Sequence, residues 1–264
     1  MLLQQDLSIN LIILLIILGF SGAFLDTSMG MGYGLLGPIL IALGLDPLIV
    51  VPVLLISQMI TGFVGTFFHS IYRNVDLSAT DTEDVKSTIL FIVMGAIGMT
   101  LAVLLAINLK DTLLFLYIGI LMVIAGLLML PKKSFNFSWK RMLVLSGWAS
   151  FNKAISGGGY GPIMTIGQIT SGRNARESVV VTDFSEAFLS GFGFLLYLIC
   201  HQMYNINLLV TIELSIIMII SGIMATPLGA LVTKRLEKRN TKKIIGVLSI
   251  IIGVFTLIRF LLLV

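Results

Sequence analysis

Apolar positions along this chain run on without interruption instead of alternating with polar ones. Residues 7–25, 89–107, 112–130 and 187–200 hold no charged side chain, and three of those runs are 19 residues long. An uncharged apolar run of about 18 or more residues is long enough to cross a ~30 Å hydrocarbon layer as a helix. Continuous runs point to helices, because barrel strands would alternate. Ten apolar segments follow: 7–25, 32–45, 48–72, 88–108, 112–130, 142–156, 160–171, 178–200, 208–233 and 243–263. Segments 32–45 and 160–171 are too short to span comfortably, and each follows a glycine cluster. Such segments read as broken or re-entrant.

Composition agrees with that pattern. Apolar residues make up 57% of the 264 positions and charged ones 11%, with a mean hydropathy of +1.06. A soluble domain could not cover its surface with so few charges. The single cysteine, Cys200, rules out a disulfide within the chain. The N-terminus lacks the basic stretch of a secretory leader, so the first segment is expected to stay as a membrane helix.

The charges set an expected orientation. Loops 73–87, 131–141, 171–177 and 233–243 hold 14 of the 17 Lys and Arg residues. The positive-inside rule puts these loops in the cytoplasm and both termini outside. The basic balance therefore reflects loops at a cell membrane and not nucleic-acid binding. Loop 76–87, with Ser78, Thr80, Asp81 and Glu83, is expected to form a short capped helix.

In this orientation the two halves run in opposite directions, and a sequence repeat supports the division. Gly30-Met31-Gly32-Tyr33-Gly34 matches Gly157-Gly158-Gly159-Tyr160-Gly161 at an offset of 127. Ser57-Gln58 matches Ser185-Glu186, and Gly65 matches Gly193, at an offset of 128. The expected fold is all-α and polytopic. Residues 1–131 form a first repeat, 132–141 a basic cytoplasmic linker and 142–264 a second, inverted repeat. Each repeat has a glycine-tipped helical hairpin and three transmembrane helices. Inverted repeats with interrupted segments are a signature of secondary transporters, with the site near the midplane.

The same motifs carry a family resemblance. Met29 through Gly34, Gly44-Leu45-Asp46-Pro47 and Val51-Pro52 in the first half, with Gly157 through Pro162 and Val181 through Glu186 in the second, resemble the TauE/SafE (TSUP) family. The resemblance spans nearly the whole chain. It implies a membrane exporter of small sulfur-containing anions such as sulfite, thiosulfate or organosulfonates. Met29 and Met31 depart from the all-glycine character of the family's clusters.

Several residue types suit such a cargo. Gly32, Tyr33 and Gly34 at one tip, and Gly158, Gly159, Tyr160 and Gly161 at the other, allow close approach to the backbone. Pro162 is a favoured first-turn residue, and the N-terminus of the helix that follows aims unpaired N–H groups at the tip. Close helix packing is the alternative role for these glycines. Lys153 is a cation inside a span and stands at offset 127 from Asp26. It is expected to attract the anion, with Asn152, Ser156 and Ser28 as polar neighbours, or else to pair with Asp26. Ser57, Gln58 and Ser185 are candidate hydrogen-bonding ligands. Asp183 and Glu186, three apart on one helix face, join Asp26 as candidates for coupling or gating through a proton or a sodium ion.

Electrical work leaves coupling open. With the cytoplasm negative, each exported negative charge gains ~2.3 kcal/mol per 100 mV, so export needs no co-transported ion. An uncoupled anion channel built on the same tips is the alternative function. A rhomboid-like protease reading rests on Gly19-Phe20-Ser21-Gly22 with His69 or His201 as base. It gives the repeat no role. No metal-binding or cofactor motif is expected.

Overall fold

The computed structural model describes residues 9–43, 45–75, 82–106, 138–200, 208–235 and 238–263, and nine positions between 116 and 127. Among these residues the chain is helical, with no strand. The helices are α1 (Ile9–Met29), α2 (Tyr33–Ala42), α3 (Pro47–Ile71), α4 (Glu83–Ala106), α5 (Trp139–Ser156), α6 (Tyr160–Thr170), α7 (Ala175–Ile199), α8 (Leu208–Thr233) and α9 (Lys238–Leu263). Five stretches are long and apolar enough to cross a membrane: Ile9–Met29, Leu48–Ile71, Glu83–Leu104, Ala175–Ile199 and Leu208–Thr233. This is a multi-pass membrane protein of the all-α class.

Local chemistry explains where these helices break. Gly30 (φ 68°) and Gly157 (φ 72°) both adopt the left-handed conformation that a Cβ would strain. In each, the N–H bonds back four residues: Gly30 to the Asp26 carbonyl (2.5 Å) and Gly157 to the Lys153 carbonyl (2.8 Å). This is the left-handed helix stop, used at matched places. The helices after the short segments are capped alike. Asp46 Oδ1 accepts from Leu48 N–H (2.8 Å), and Asn174 Oδ1 accepts from Arg176 N–H (2.9 Å). Hence α2 and α6 begin at an offset of 127, and α3 and α7 begin and end at an offset of 128.

Packing follows the same correspondence. Helix α1 packs on α8 as α4 packs on α5, and α3 packs on α8 as α7 packs on α4. The central contact joins α3 and α7. Small residues permit close crossings: a Cβ on Gly98 would collide with the Gly147 carbonyl, and one on Gly19 with Ser221 and Met218. Every residue of α6 is buried, including Thr165, Gln168 and Thr170.

The outer faces are apolar. Ile9, Ile13, Ile16 and Ile17 on α1 and Leu209, Ile212, Ile216 and Ile220 on α8 are exposed, while Asp26, Thr27 and Ser28 of α1 and Thr211, Ser215 and Thr226 of α8 are buried. Polar groups inside and bulky aliphatics outside suit lipid as the solvent.

Two expectations change in detail, and a third falls partly outside the described residues. Residues 83–87 form the first turn of α4 instead of a separate helix, and 76–81 lie outside the described residues. Trp139, Lys140 and Arg141, placed in the linker by sequence, already belong to α5. Segment 112–130 lies partly outside the described residues; its nine described positions are helical, and Gly119 and Gly126 lie against α9.

Candidate substrate and ion site

The left-handed stops turn α1 into α2 and α5 into α6, which brings the two glycine clusters together. A Cβ on Gly158 would collide with the Gly34 backbone, and one on Gly34 would stand 3.0 Å from Gly159 N. A Cβ on Gly161 would collide with the Gly30 carbonyl oxygen. Gly32 faces elsewhere, into the Gly22 carbonyl and the Asp26 backbone of α1. The close-packing role of these glycines is thus visible in the geometry.

Tyr33 and Tyr160, the first residues of α2 and α6, are fully buried. The Tyr33 hydroxyl pairs with Thr61 Oγ1 on α3 (3.1 Å), and the Tyr160 hydroxyl pairs with Ser185 Oγ on α7 (2.9 Å). Each half therefore anchors its tip tyrosine to its own central helix by one hydroxyl pair.

Beneath the tips runs a chain of buried polar groups. Asp26 Oδ1 accepts from Tyr33 N–H (3.4 Å), and its Oδ2 accepts from Gln58 Nε2 (2.7 Å). Gln58 Oε1 accepts from Lys153 Nζ, which also donates to Glu186 Oε1 (2.8 Å). Asp26, Gln58, Lys153 and Glu186 are each at most 2% exposed. Asp26–Gln58 in one half and Lys153–Glu186 in the other occupy matched positions. Lys153 does not reach Asp26 directly; Gln58 connects them. Ser190 Oγ, one turn after Glu186, donates to the Glu186 carbonyl (2.6 Å).

The cluster holds more carboxyl groups than cations. Asp183 lies within electrostatic reach of Asp26, Glu186 and Lys153, which makes three carboxyls to one ammonium. Both carboxyl oxygens of Asp183 and Oε2 of Glu186 are buried with no hydrogen-bond partner among the described residues. Ser57 Oγ is in the same state. A Cβ on Gly65 would stand 2.9 Å from Asp183 Oδ2, and one on Gly161 would stand 3.1 Å from Glu186 Oε2. Glycine at those two places leaves the carboxylates their space. Asn152 and Ser28 are buried nearby in sequence; Ser28 Oγ turns back to the Leu25 carbonyl (3.5 Å). The Ser156 side chain lies outside the described residues.

Sequence reasoning missed two features. His69, considered there only as a protease base, is fully buried and contacts the α7 carboxylate Asp183 at 3.9 Å. Ser21, its supposed nucleophile, is exposed on the lipid-facing flank of α1. His201 lies outside the described residues. Arg173, counted as a loop charge, is 7% exposed. It donates to Asp84, to Ser87 Oγ (2.5 Å) and to Gln168 Oε1 (3.0 Å), tying the start of α4 to the α6–α7 corner. A histidine inside an apolar run was the available signal for the first; nothing in the sequence signals the second.

The chain as a whole resembles known proteins. The family model described as "Sulfite exporter TauE/SafE" matches residues 15–256. The chain belongs to the TauE/SafE family. It is also similar to a Bacillus subtilis (strain 168) protein described as "Probable membrane transporter protein YtnM", with 25% identity over 256 residues, covering 92% of this chain and 81% of the relative. No solved structure matches. As a TauE/SafE protein the chain is a membrane transporter, and its buried charges sit where helix breaks from both halves converge.

Proposed function

We propose that this protein exports small sulfur-containing anions, such as sulfite, thiosulfate or organosulfonates, by alternating access. The anion sits between the glycine tips near the midplane, close to Lys153. The observation that carries this reading is a fully buried ammonium, Lys153, four residues before the left-handed turn that leads into α6. Asp26 occupies the matched place in the first half, where its carboxylate already takes the Tyr33 N–H at the start of α2. Lys153 at that place neutralises Glu186, whose Oε2 lies beside Gly161, so that the α6 N-terminus can draw an external anion. Tyr160, Gly159, Gly161, Asn152 and Ser185 then line the second tip. Gly32, Tyr33, Gly34, Ser57 and Gln58 line the first.

The two halves act as inverted repeats. Their matched breaks, caps and packing pairs support this arrangement, with the basic loops in the cytoplasm and both termini outside. The contact of Gly34 with Gly158 is then the closed gate, and parting it admits substrate. Asp26, Asp183 and Glu186 couple or gate the movement.

Calorimetric titration of the purified protein tests the reading. Sulfite, thiosulfate, sulfoacetate, taurine, sulfate and chloride are compared, alongside Lys153→Ala. Saturable heat from a sulfur oxyanion or sulfonate, lost in the folded variant, is the expected result. Wild-type affinity in Lys153→Ala sinks the site. No heat from any of these anions sinks the substrate class.

A further inference from the structure

His69 has a fixed tautomer. Asn74 Nδ2 lies 2.8 Å from the Ala230 carbonyl and 2.9 Å from His69 Nδ1. A carbonyl only accepts, so the amide nitrogen must face it, and the same nitrogen donates to Nδ1. Nδ1 is therefore unprotonated, and the imidazole proton resides on Nε2. That nitrogen has no partner at hydrogen-bond distance among the described residues. It stands 3.9 Å from Asp183 Oδ2, and the ring also has a backbone interaction with Thr27.

Three buried polar groups are thus poised around one ring. Asp183 has two unsatisfied oxygens, His69 has an unsatisfied N–H, and Asn74 Oδ1 is also buried without a partner among the described residues. Buried groups left in this state are costly. A metal cation does not resolve the arrangement, because Nε2 carries hydrogen and cannot ligate. A proton does. Added at Nδ1, it meets the Asn74 amide, which rotates so that Oδ1 accepts from Nδ1–H. The amide nitrogen then leaves the Ala230 carbonyl, and the imidazolium lies beside the Asp183 carboxylate.

We propose that His69, held between Asn74 and Asp183, is the proton-loading site of this transporter, and that loading releases the Asn74–Ala230 tie between the end of α3 and α8. The idea rests on the carrier reading above and names its coupling ion. Charge explains the need. Titratable groups within electrostatic reach of Asp183 are Asp26 on α1, Tyr33 on α2, Lys153 on α5 and Glu186 on α7, while α8 contributes the hydroxyl of Thr233, which donates to the Thr27 carbonyl (2.9 Å). Carboxyls outnumber the single ammonium here, so each one that is ionised opposes an incoming anion, and a positive charge on His69 offsets that opposition.

Two experiments test this on the full chain. The first needs no substrate. The protein has two histidines, so ¹⁵N-histidine labelling gives two ring signals, assigned with a His201 variant. His69 should show the Nε2–H neutral tautomer and become doubly protonated as pH falls. Asp183→Asn, which keeps shape and loses charge, should move that transition at least about one pH unit lower. An Nδ1–H tautomer, or a transition indifferent to Asp183→Asn, overturns the proposal.

The second experiment uses proteoliposomes and thiosulfate. A one-unit pH gradient should drive accumulation by up to about tenfold per coupled proton. His69→Gln, which can still accept from Asn74, should abolish that accumulation and retain measurable counterflow. Accumulation driven by sodium and indifferent to pH overturns the proposal. If wild-type protein moves no thiosulfate, the substrate reading fails by itself, and the histidine spectrum still decides the proton site.

Discussion

The two glycine tips are built to one plan and differ in one charge. Both end on a left-handed glycine that bonds back four residues, both begin the next helix with a buried tyrosine, and both tie that tyrosine to the half's own central helix. At the place four residues before the turn, the first half has Asp26 and the second has Lys153. Asp26 satisfies an N–H of its own half-helix. Lys153 cannot, and turns to Gln58 and Glu186 instead. One tip thus takes a carboxylate from its own broken helix, and the other has Glu186 of the central helix, with Oε2 3.1 Å from where a Cβ on Gly161 would stand. A duplicated scaffold can be symmetric in backbone and still differ in charge between its two tips.

Lys153→Ala breaks that comparison most severely. It leaves Glu186 as a buried charge without its ammonium, a loss of about 3–5 kcal/mol in stability as well as of anion binding. Thermal unfolding and calorimetry on the same sample separate the two effects. A variant that stays as stable as wild type contradicts the burial assigned to this pair.

Gly161→Ala should come next. Its Cβ would meet the Gly30 carbonyl and crowd Glu186, forcing the tips apart. Overpacking of this kind costs about 1–3 kcal/mol, and transport should fall by more than the loss of folded protein explains. Gly34→Ala meets Gly159 N at 3.0 Å and Pro162 Cδ at 3.2 Å, so its effect should be smaller. Flux per folded molecule in proteoliposomes ranks the two, and the reverse order would refute this tip geometry.

Asp26→Asn sharpens the comparison in the opposite direction. It keeps an acceptor for Gln58 and removes a negative charge from the site. Anion affinity should rise by about three- to tenfold, read by titration with thiosulfate. A fall in affinity would mean that Asp26 supports the anion site by holding Gln58 in place and not by its charge.

The smallest expected effects are Tyr33→Phe and Tyr160→Phe. Each removes one buried hydroxyl pair, worth about 1 kcal/mol, so melting temperatures should fall alike. Only Tyr160→Phe should also weaken anion binding. Equal effects on binding would place the substrate across both tips.

Much of this architecture is legible in the order of residues alone. The apolar runs mark the helices, the doubled Gly-x-Gly-Tyr-Gly motif marks the breaks, and the offsets of 127 and 128 pair Asp26 with Lys153 and Gln58 with Glu186. Those features are local: length, periodicity and glycine conformation act within a few residues. The roles of His69 and Arg173 are not legible in that way. A histidine in an apolar run, or an arginine in a basic loop, looks the same whether it meets lipid, water or a partner far along the chain.

The sequence by itself determined a helical membrane protein, its broken segments and its candidate charges, because a lipid solvent requires every backbone group to be satisfied within a helix or across a break. Tertiary structure decided who meets whom. Only the packing of α3 on α7 puts His69 beside Asp183, 114 positions away in sequence, and runs Gln58 between Asp26 and Lys153. Buried polar groups must find partners, and which partner each finds depends on how helices cross, something no local pattern encodes.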